Sequence, residues 1–261
     1  MAIPKKIHYC WFGNGEKSEL VKKCIASWEK FCPDCEIIEW NESNYDVTKN
    51  EYMHQAYLAK RWGFVPDYAR LDIIYHHGGI YLDTDVEIIR NIDDLFDGNG
   101  YMGFENITDT HQTTYSVNGG QGFGASAQHP LIKKMRDIYD NLQFVNDDGS
   151  LNLQPSPHYN TMVLAENGMR MDNTMQIIHG ITVYPAEYFC PVNWKNKKCE
   201  ITKNTYSIHH FNASWLTDTE KKKRKKKRIW DAVIHLPNRC LRTILGTSLY
   251  EKLKSVIQRS L

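Results

Sequence analysis

The segment that most constrains the fold is 66–86, in which a predicted helix, two glycines, an apolar run and two aspartates follow in order. The helix is predicted over 67–77 and ends at the glycine pair 78–79, which can supply the left-handed backbone of a helix C-terminus. The apolar run 80–82 is typical of a short buried strand. The Asp-Thr-Asp sequence 83–85 is therefore expected at the carboxyl end of that strand.

The rest of the chain alternates between predicted strands and predicted helices. Strands are predicted over 7–12, 36–40 and 101–104, and helices over 19–31, 51–61 and 130–142. This alternation is typical of an α/β sandwich with a mainly parallel sheet. In open sheets of this kind ligands bind beyond the carboxyl ends of the strands, which is where 83–85 is expected.

Asp83 and Asp85 have the chemistry of a cation site. Side chains two positions apart on an extended backbone point to the same side, and carboxylate oxygens suit Mg²⁺ or Mn²⁺. Such a cation can bridge a diphosphate and stabilise the negative charge that develops when a sugar–diphosphate bond opens. A lone Asp-x-Asp pair is more often a solvated turn, so the prediction depends on the order helix, glycine pair, strand and acidic end.

Asp67 and Arg70 are expected to face the same site. They are three positions apart on the predicted helix and so share a face, which the glycine pair can turn toward the two aspartates. Arg70 would then contact a phosphate or sugar oxygen, and Asp67 a sugar hydroxyl. Together with Asp83 and Asp85 they are the predicted catalytic residues.

The stretch PDYARLDIIYHHGGIYLDTDV at 66–86 resembles the sugar-binding signature of glycosyltransferase family 32. That family includes yeast initiating mannosyltransferases and bacterial capsule and O-antigen enzymes, and the glucosylating domains of large clostridial toxins share its core. IPKKIHYCWFG at 3–13 resembles the family's first strand, and IHHFNASW at 208–215 its closing motif. The resemblance implies a GT-A fold, a divalent cation and transfer with retention of configuration, and it predicts a catalytic domain over 1–218.

The resemblance also implies roles for individual residues. Asp67 and Arg70 would contact the donor sugar and its diphosphate. Asp83 would touch ribose and sugar, Asp85 would bind the metal directly, and His210 would be the third metal ligand after the two aspartates.

Three aromatic residues are implied in nucleotide-sugar binding. Trp11 would stack on the donor base, Tyr81 would lie beside the diphosphate, and Trp215 would close over it. Trp11 and Tyr81 can equally be core residues. The glycine-rich stretch 118–122 lacks a phosphate-loop pattern, and is interpreted as a flexible loop on the acceptor side or as an ordinary turn.

The charge is divided unevenly along the chain. Residues 221–261 contain 13 of the 32 Lys/Arg residues but only 2 of the 31 Asp/Glu residues, so a basic tail follows an acidic body. This pattern argues against a nucleic-acid-binding domain. Residues 219–261 combine the basic run 221–228 with an amphipathic helix pattern, which favours an anionic membrane surface. The alternative is a terminal helix packed on the catalytic domain or on a second copy.

The remaining features indicate a cytoplasmic protein, peripheral on the inner face of the cell membrane. The chain has no apolar run of about 18 residues, no apparent secretory signal, and seven scattered cysteines. The predicted activity is hexose transfer from a nucleotide-sugar, UDP-hexose favoured and GDP-mannose open, to a glycan or lipid-linked acceptor in bacterial surface polysaccharide synthesis. The alternatives are a HAD-like phosphatase, whose motif fits poorly at Glu87, and a non-catalytic glycan-binding scaffold at the membrane.

Overall fold

The computed structural model describes residues 2–108, 113–192 and 198–212, without the side chains of 106–108 and 113–114. All of these residues belong to the first of the two units into which the chain divides, Met1–Ala213. Trp215 and the tail predicted over 219–261 lie outside the described residues.

Ten strands and five α-helices lie in the described part of the chain. The strands are β1 (Lys6–Cys10), β2 (Glu36–Trp40), β3 (Gly79–Tyr81), β4 (Val86–Ile88), β5 (Gly100–Thr108), β6 (Thr113–Val117), β7 (Phe123–Ala125), β8 (Gln176–Ile178), β9 (Ile181–Tyr184) and β10 (Ser207–His209). The helices are α1 (Glu19–Phe31), α2 (Glu51–Leu58), α3 (Val65–His77), α4 (Pro130–Asp137) and α5 (Ser156–Glu166).

Eight of these strands form one sheet in the order β2-β1-β3-β7-β5-β9-β8, with β6 paired to the second half of β5. Strands β1, β2, β3, β5 and β9 run in one direction, which confirms the predicted α/β fold with a mainly parallel sheet. Strand β7, between β3 and β5, runs the opposite way. Strands β4 and β10 form a separate antiparallel pair.

Most predicted elements lie close to their predicted bounds. Helix α1 and strand β2 match residue for residue, and the Ser18 hydroxyl accepts a hydrogen bond from the Val21 amide at the start of α1. Helix α2 ends at Leu58 rather than at 61. Helix α4 ends at Asp137, after which one 3₁₀ turn continues to Asn141.

The turn from α3 into β3 confirms the predicted role of the glycine pair. Gly78 and Gly79 have φ of 64° and 105°, which residues with a Cβ rarely adopt. A Cβ on Gly79 would lie 2.9 Å from the Lys6 carbonyl oxygen. The His8 ring fixes the same corner, because Nδ1 accepts a hydrogen bond from the Trp40 indole at 3.0 Å and Nε2 donates to the Gly78 carbonyl at 2.9 Å.

Apolar residues pack on both faces of the sheet. On one face they come from α2, α3, α4 and α5, and on the other from α1 and β4. Tyr81 belongs to the first core and Ile80 to the second, as expected for neighbours on a strand. No helix in the described ranges is long and apolar enough to cross a bilayer.

Candidate active site

The acidic motif lies where strands β1 and β3 end. The Leu82 amide donates to the His8 carbonyl at 3.0 Å, which keeps the motif beside β1. The Val86 amide then donates to the Asp83 carbonyl at 3.0 Å, which closes a turn over 83–86. Asp83 and Asp85 are therefore brought together by a turn, and not by the extended backbone that sequence analysis assumed.

A histidine completes a cluster with the two aspartates, and it is His209. One ligand atom from each of Asp83, Asp85 and His209 lies within 4.8 Å of the others. Strand β10 pairs with β4 so that His209 lies opposite Val86, directly after Asp85. The His209 Nε2 atom is 3.3 Å from Asp85 Oδ1.

His210, the predicted third ligand, points elsewhere. Its Nε2 atom is 2.9 Å from Glu87 Oε2, and Glu87 also pairs with Lys23. Successive side chains of an extended backbone project to opposite sides, so only one of the two histidines can face the aspartates. The structure thus places His209, and not the predicted His210, beside the two aspartates. The backbone of His210 still contributes, since its amide donates to the Asp85 carbonyl at 3.0 Å.

Arg70 connects the helix to the acidic motif. Its NH2 donates to Asp67 Oδ1 at 2.6 Å, and its NH1 lies 3.7 Å from Asp83 Oδ2. Both the Asp67 and the Arg70 side chain are only 5% exposed. The guanidinium also lies over the Tyr81 ring, 5.3 Å from its centroid. The structure thus brings together the predicted residues Asp67, Arg70, Asp83 and Tyr81.

The electrostatics of the site are dominated by burial of opposite charges. Burial raises the pKa of Asp67 to about 6 and also raises the pKa of Asp83, in both cases against the effect of Arg70. Burial would raise the pKa of Asp85 too, but His209 and backbone hydrogen bonds outweigh it and lower that pKa. Burial opposes protonation of His209, yet Asp85 raises its pKa. Arg70 thus lies against Asp67 and Asp83, and Asp85 lies against the His209 ring.

The cluster fits a divalent cation. A buried excess of negative charge is costly unless a cation balances it. The His209 Nδ1 atom is buried and has no hydrogen-bond partner among the described residues. Two carboxylates suit either Mg²⁺ or Mn²⁺, and an imidazole is more common as a ligand of transition metals. Asp83, Asp85 and His209 therefore fit Mn²⁺ better than Mg²⁺.

The glycine-rich stretch 118–122 forms a buried wall of the site. A Cβ on Gly120 would lie 2.3 Å from Asp83 Oδ2 and 3.1 Å from Arg70 NH1, so the backbone there lies directly against both side chains. The position of this stretch beside the aspartates was not predicted from the sequence. Only its glycines indicate that position, because glycine allows the backbone to approach other groups closely.

The predicted nucleotide-binding aromatics differ in their surroundings. Trp11 follows β1 and is partly exposed, with its indole donating to the Gly15 carbonyl at 2.8 Å and the Lys17 ammonium 5.5 Å from the ring centroid. Tyr81 is 1% exposed and packs beside Phe123 as well as under the Arg70 guanidinium. Trp11 is thus available for stacking, whereas Tyr81 is a core residue that touches the site.

Comparison with known proteins supports a sugar-transferase domain. Residues 18–101 match the family model described as a glycosyltransferase sugar-binding region containing a DXD motif. Inositol phosphoceramide mannosyltransferase 3 of Schizosaccharomyces pombe is 33% identical over 106 residues, which cover 36% of this chain and 27% of that protein. The chain therefore spans about a quarter of the length of this curated relative.

Two solved structures are similar at lower identity. The PaToxG glycosyltransferase is 21% identical with a TM-score of 0.48, and the match covers 63% of this chain and 70% of that one. A glycosyltransferase involved in glycosylation of the major capsid of PBCV-1 is 14% identical with a TM-score of 0.44, and the match covers 85% of this chain and 98% of that one. The likeness to sugar transferases depends on the sequence matches, in which residues 18–101 are similar to a glycosyltransferase sugar-binding region containing a DXD motif, and Asp83-Thr84-Asp85 lies within the matched residues.

Proposed function

We propose that the chain is a retaining, metal-dependent hexosyltransferase that uses a nucleotide-sugar, with UDP-hexose favoured and GDP-mannose as the second candidate. The observation that supports it most is the cluster of Asp83, Asp85 and His209 beside the buried Asp67–Arg70 pair. The match of residues 18–101 to a sugar-binding region favours a transferase over the HAD-like phosphatase.

Each residue of the cluster has a task in this reaction. Asp83, Asp85 and His209 would hold Mn²⁺ or Mg²⁺, which when bound supplies positive charge for the diphosphate leaving group. Arg70 donates hydrogen bonds to the same leaving group, and Asp67, already aligned by Arg70, accepts from a sugar hydroxyl. The buried stretch 118–122 lies beside Arg70 and Asp83 and would limit the access of water to these charges.

The bond changes follow from retention. The bond from the anomeric carbon to the diphosphate oxygen breaks, and the acceptor hydroxyl forms a new bond to that carbon from the same side. The acceptor proton passes to the departing diphosphate oxygen. Asp67 is engaged by Arg70, and the nearby carboxylate Glu105 by two hydrogen bonds, which favours front-side transfer over a covalent intermediate.

The acceptor is proposed to be a glycan or lipid-linked oligosaccharide of bacterial surface polysaccharide synthesis, such as capsule or O-antigen. The Schizosaccharomyces pombe relative is named for mannosyl transfer to inositol phosphoceramide, which supports both a hexose donor and a lipid acceptor. The basic tail over 219–261 would bind the anionic inner face of the cell membrane and bring the site to that acceptor. A chain ending at Asp218 should then no longer sediment with anionic liposomes at low salt.

Calorimetric titration with UDP tests the donor site. We expect UDP to bind only with Mn²⁺ present, and Asp85→Asn to remove this binding because it deletes a negatively charged metal ligand. Asp140→Asn makes the same change at an exposed position and should bind as the wild type does. Binding of GDP instead of UDP would overturn the uridine assignment, and failure with both nucleotides would favour the non-catalytic scaffold.

The stereochemistry is tested separately. After a donor and acceptor have been found, the anomeric configuration of the product is read by NMR. A product with inverted configuration would contradict the retaining mechanism.

A further inference from the structure

Glu105 is a buried carboxylate close to the site to which the mechanism above gives no chemical step. It lies on β5, its residue is 8% exposed, and burial raises the pKa of its carboxyl group. Its hydrogen-bond partners are the Ser116 hydroxyl at 3.0 Å and the Asn118 amide nitrogen at 2.8 Å, and the nearby His209 ring opposes the effect of burial on its pKa. Burial of a carboxylate costs free energy, and the hydrogen bonds from the buried Ser116 and Asn118 side chains offset part of that cost.

A chain of hydrogen bonds leads from Glu105 to the metal cluster. Asn118 Nδ2 donates to Glu105 Oε2, and Asn118 Oδ1 accepts from the Gly120 amide at 2.7 Å. The Gly120 carbonyl in turn accepts from the Asp83 amide at 3.2 Å. Asn118 and Gly120 thus connect Glu105, in the second half of β5, to Asp83, the first aspartate of the DXD motif.

The contact between Gly120 and the site leaves little room for movement. A Cβ at Gly120 would clash with Asp83 and make a tight contact with Arg70, so the Gly120 backbone lies close against both side chains and constrains where they can lie. The position of Gly120 depends on Asn118, which must present its oxygen to the Gly120 amide. An ionised carboxylate only accepts hydrogen bonds, so Glu105 forces the amide nitrogen of Asn118 to its own side and the oxygen to the other.

We propose that Glu105 is a positioning residue, which acts through Asn118 and Gly120 to fix Asp83 for metal and diphosphate binding. The effect on metal and diphosphate binding rests on the proposed function. The hydrogen bonds from Glu105 to Asp83 are present in the structure whatever that function is. Outer partners of this kind commonly change metal affinity when they are removed, even though they touch neither metal nor substrate.

The test compares two replacements of Glu105. Glu105→Met keeps the length of the side chain but removes the acceptors, so Mn²⁺-dependent UDP binding should weaken by about 10-fold in calorimetry. Glu105→Gln can still accept from Asn118, and the Ser116 hydroxyl can turn to accept from the new amide, so binding should stay close to that of the wild type. Glu166→Met, on an exposed helix end, is the control for the methionine.

A second readout does not depend on the donor. Because the Asp83 amide donates to Gly120, hydrogen exchange of a peptide that contains Asp83 should be faster in Glu105→Met and normal in Glu105→Gln. Should Glu105→Met fail to fold, Asn118→Ala removes the same connection and should have the same effect. If wild-type protein bound no Mn²⁺–UDP, the proposed function would fail, while exchange at Asp83 would still decide on the connection.

Two results would overturn the proposal. A folded Glu105→Met protein with normal Asp83 exchange would show that Glu105 does not fix Asp83. Equal damage from Glu105→Gln and Glu105→Met would show that the charge of Glu105, and not its hydrogen bonding, is what the site needs.

Discussion

Acid should destabilise this fold through His8. The ring, on β1, is fully buried between Trp40 and the α3–β3 corner, and burial lowers its pKa to about 4, against the opposing effect of the hydrogen bond to Gly78. In the unfolded chain a histidine has a pKa of about 6.5. Between these two values the unfolded state binds more protons, so the free energy of unfolding falls as the pH falls from about 6.5 to about 4.

The size of the effect follows from the two pKa values. The contribution of His8 to the free energy of unfolding should decrease by about 2 kcal/mol between pH 7 and pH 5, and by about 3 kcal/mol at pH 4. There is a structural reason for this loss. The Trp40 indole can only donate, so protonation of Nδ1 would set two donors against each other at the 3.0 Å contact.

The assay is urea unfolding followed by circular dichroism at pH 7, 6, 5 and 4. His8→Gln is the matched variant, because its amide can accept from Trp40 and donate to Gly78 without titrating. Other groups titrate equally in both proteins, so the difference between them isolates His8. His158→Gln, at an exposed site, should follow the wild type throughout. Parallel stability curves for wild type and His8→Gln would refute the argument that burial suppresses protonation.

Three further predictions concern the site and its support. Gly120→Ala should abolish Mn²⁺–UDP binding in calorimetry, because its Cβ would lie 2.3 Å from Asp83 Oδ2, and circular dichroism should show a retained fold. His209→Ala should weaken Mn²⁺ binding at least about 10-fold, while His210→Ala should change it little. A larger loss of Mn²⁺ binding in His210→Ala than in His209→Ala would support His210 as the metal ligand. Trp28→Ala should cost about 3–5 kcal/mol in urea unfolding, because it empties a fully buried site under β4 and removes the indole bond to the Val86 carbonyl.

Several features of this protein are determined by local sequence. Ser18 starts α1 and the chain reverses after Phe31, because a cap and a turn act on the residues next to them. The Gly78-Gly79 corner is equally local, since it depends on backbone conformations that only glycine adopts readily. With the helix before it and the strand after it, this corner was enough to predict that Asp67, Arg70 and the DXD motif share one site.

The predictions for the tail over 219–261 and for Trp215 lie outside the described residues and remain predictions. So do the donor, the acceptor and the membrane location.

Tertiary structure alone decided the rest of the site. The choice of His209 over His210 depends on the register between β4 and β10, which lie far apart in the chain, and a shift of one residue exchanges the two side chains. Glu105 and Gly120 reach Asp83 only because β5 and β7 pair into the sheet beside β3. Caps and turns determine the conformation of only a few neighbouring residues. A site at a sheet edge is instead assembled from distant segments that come into contact only when the strands pair.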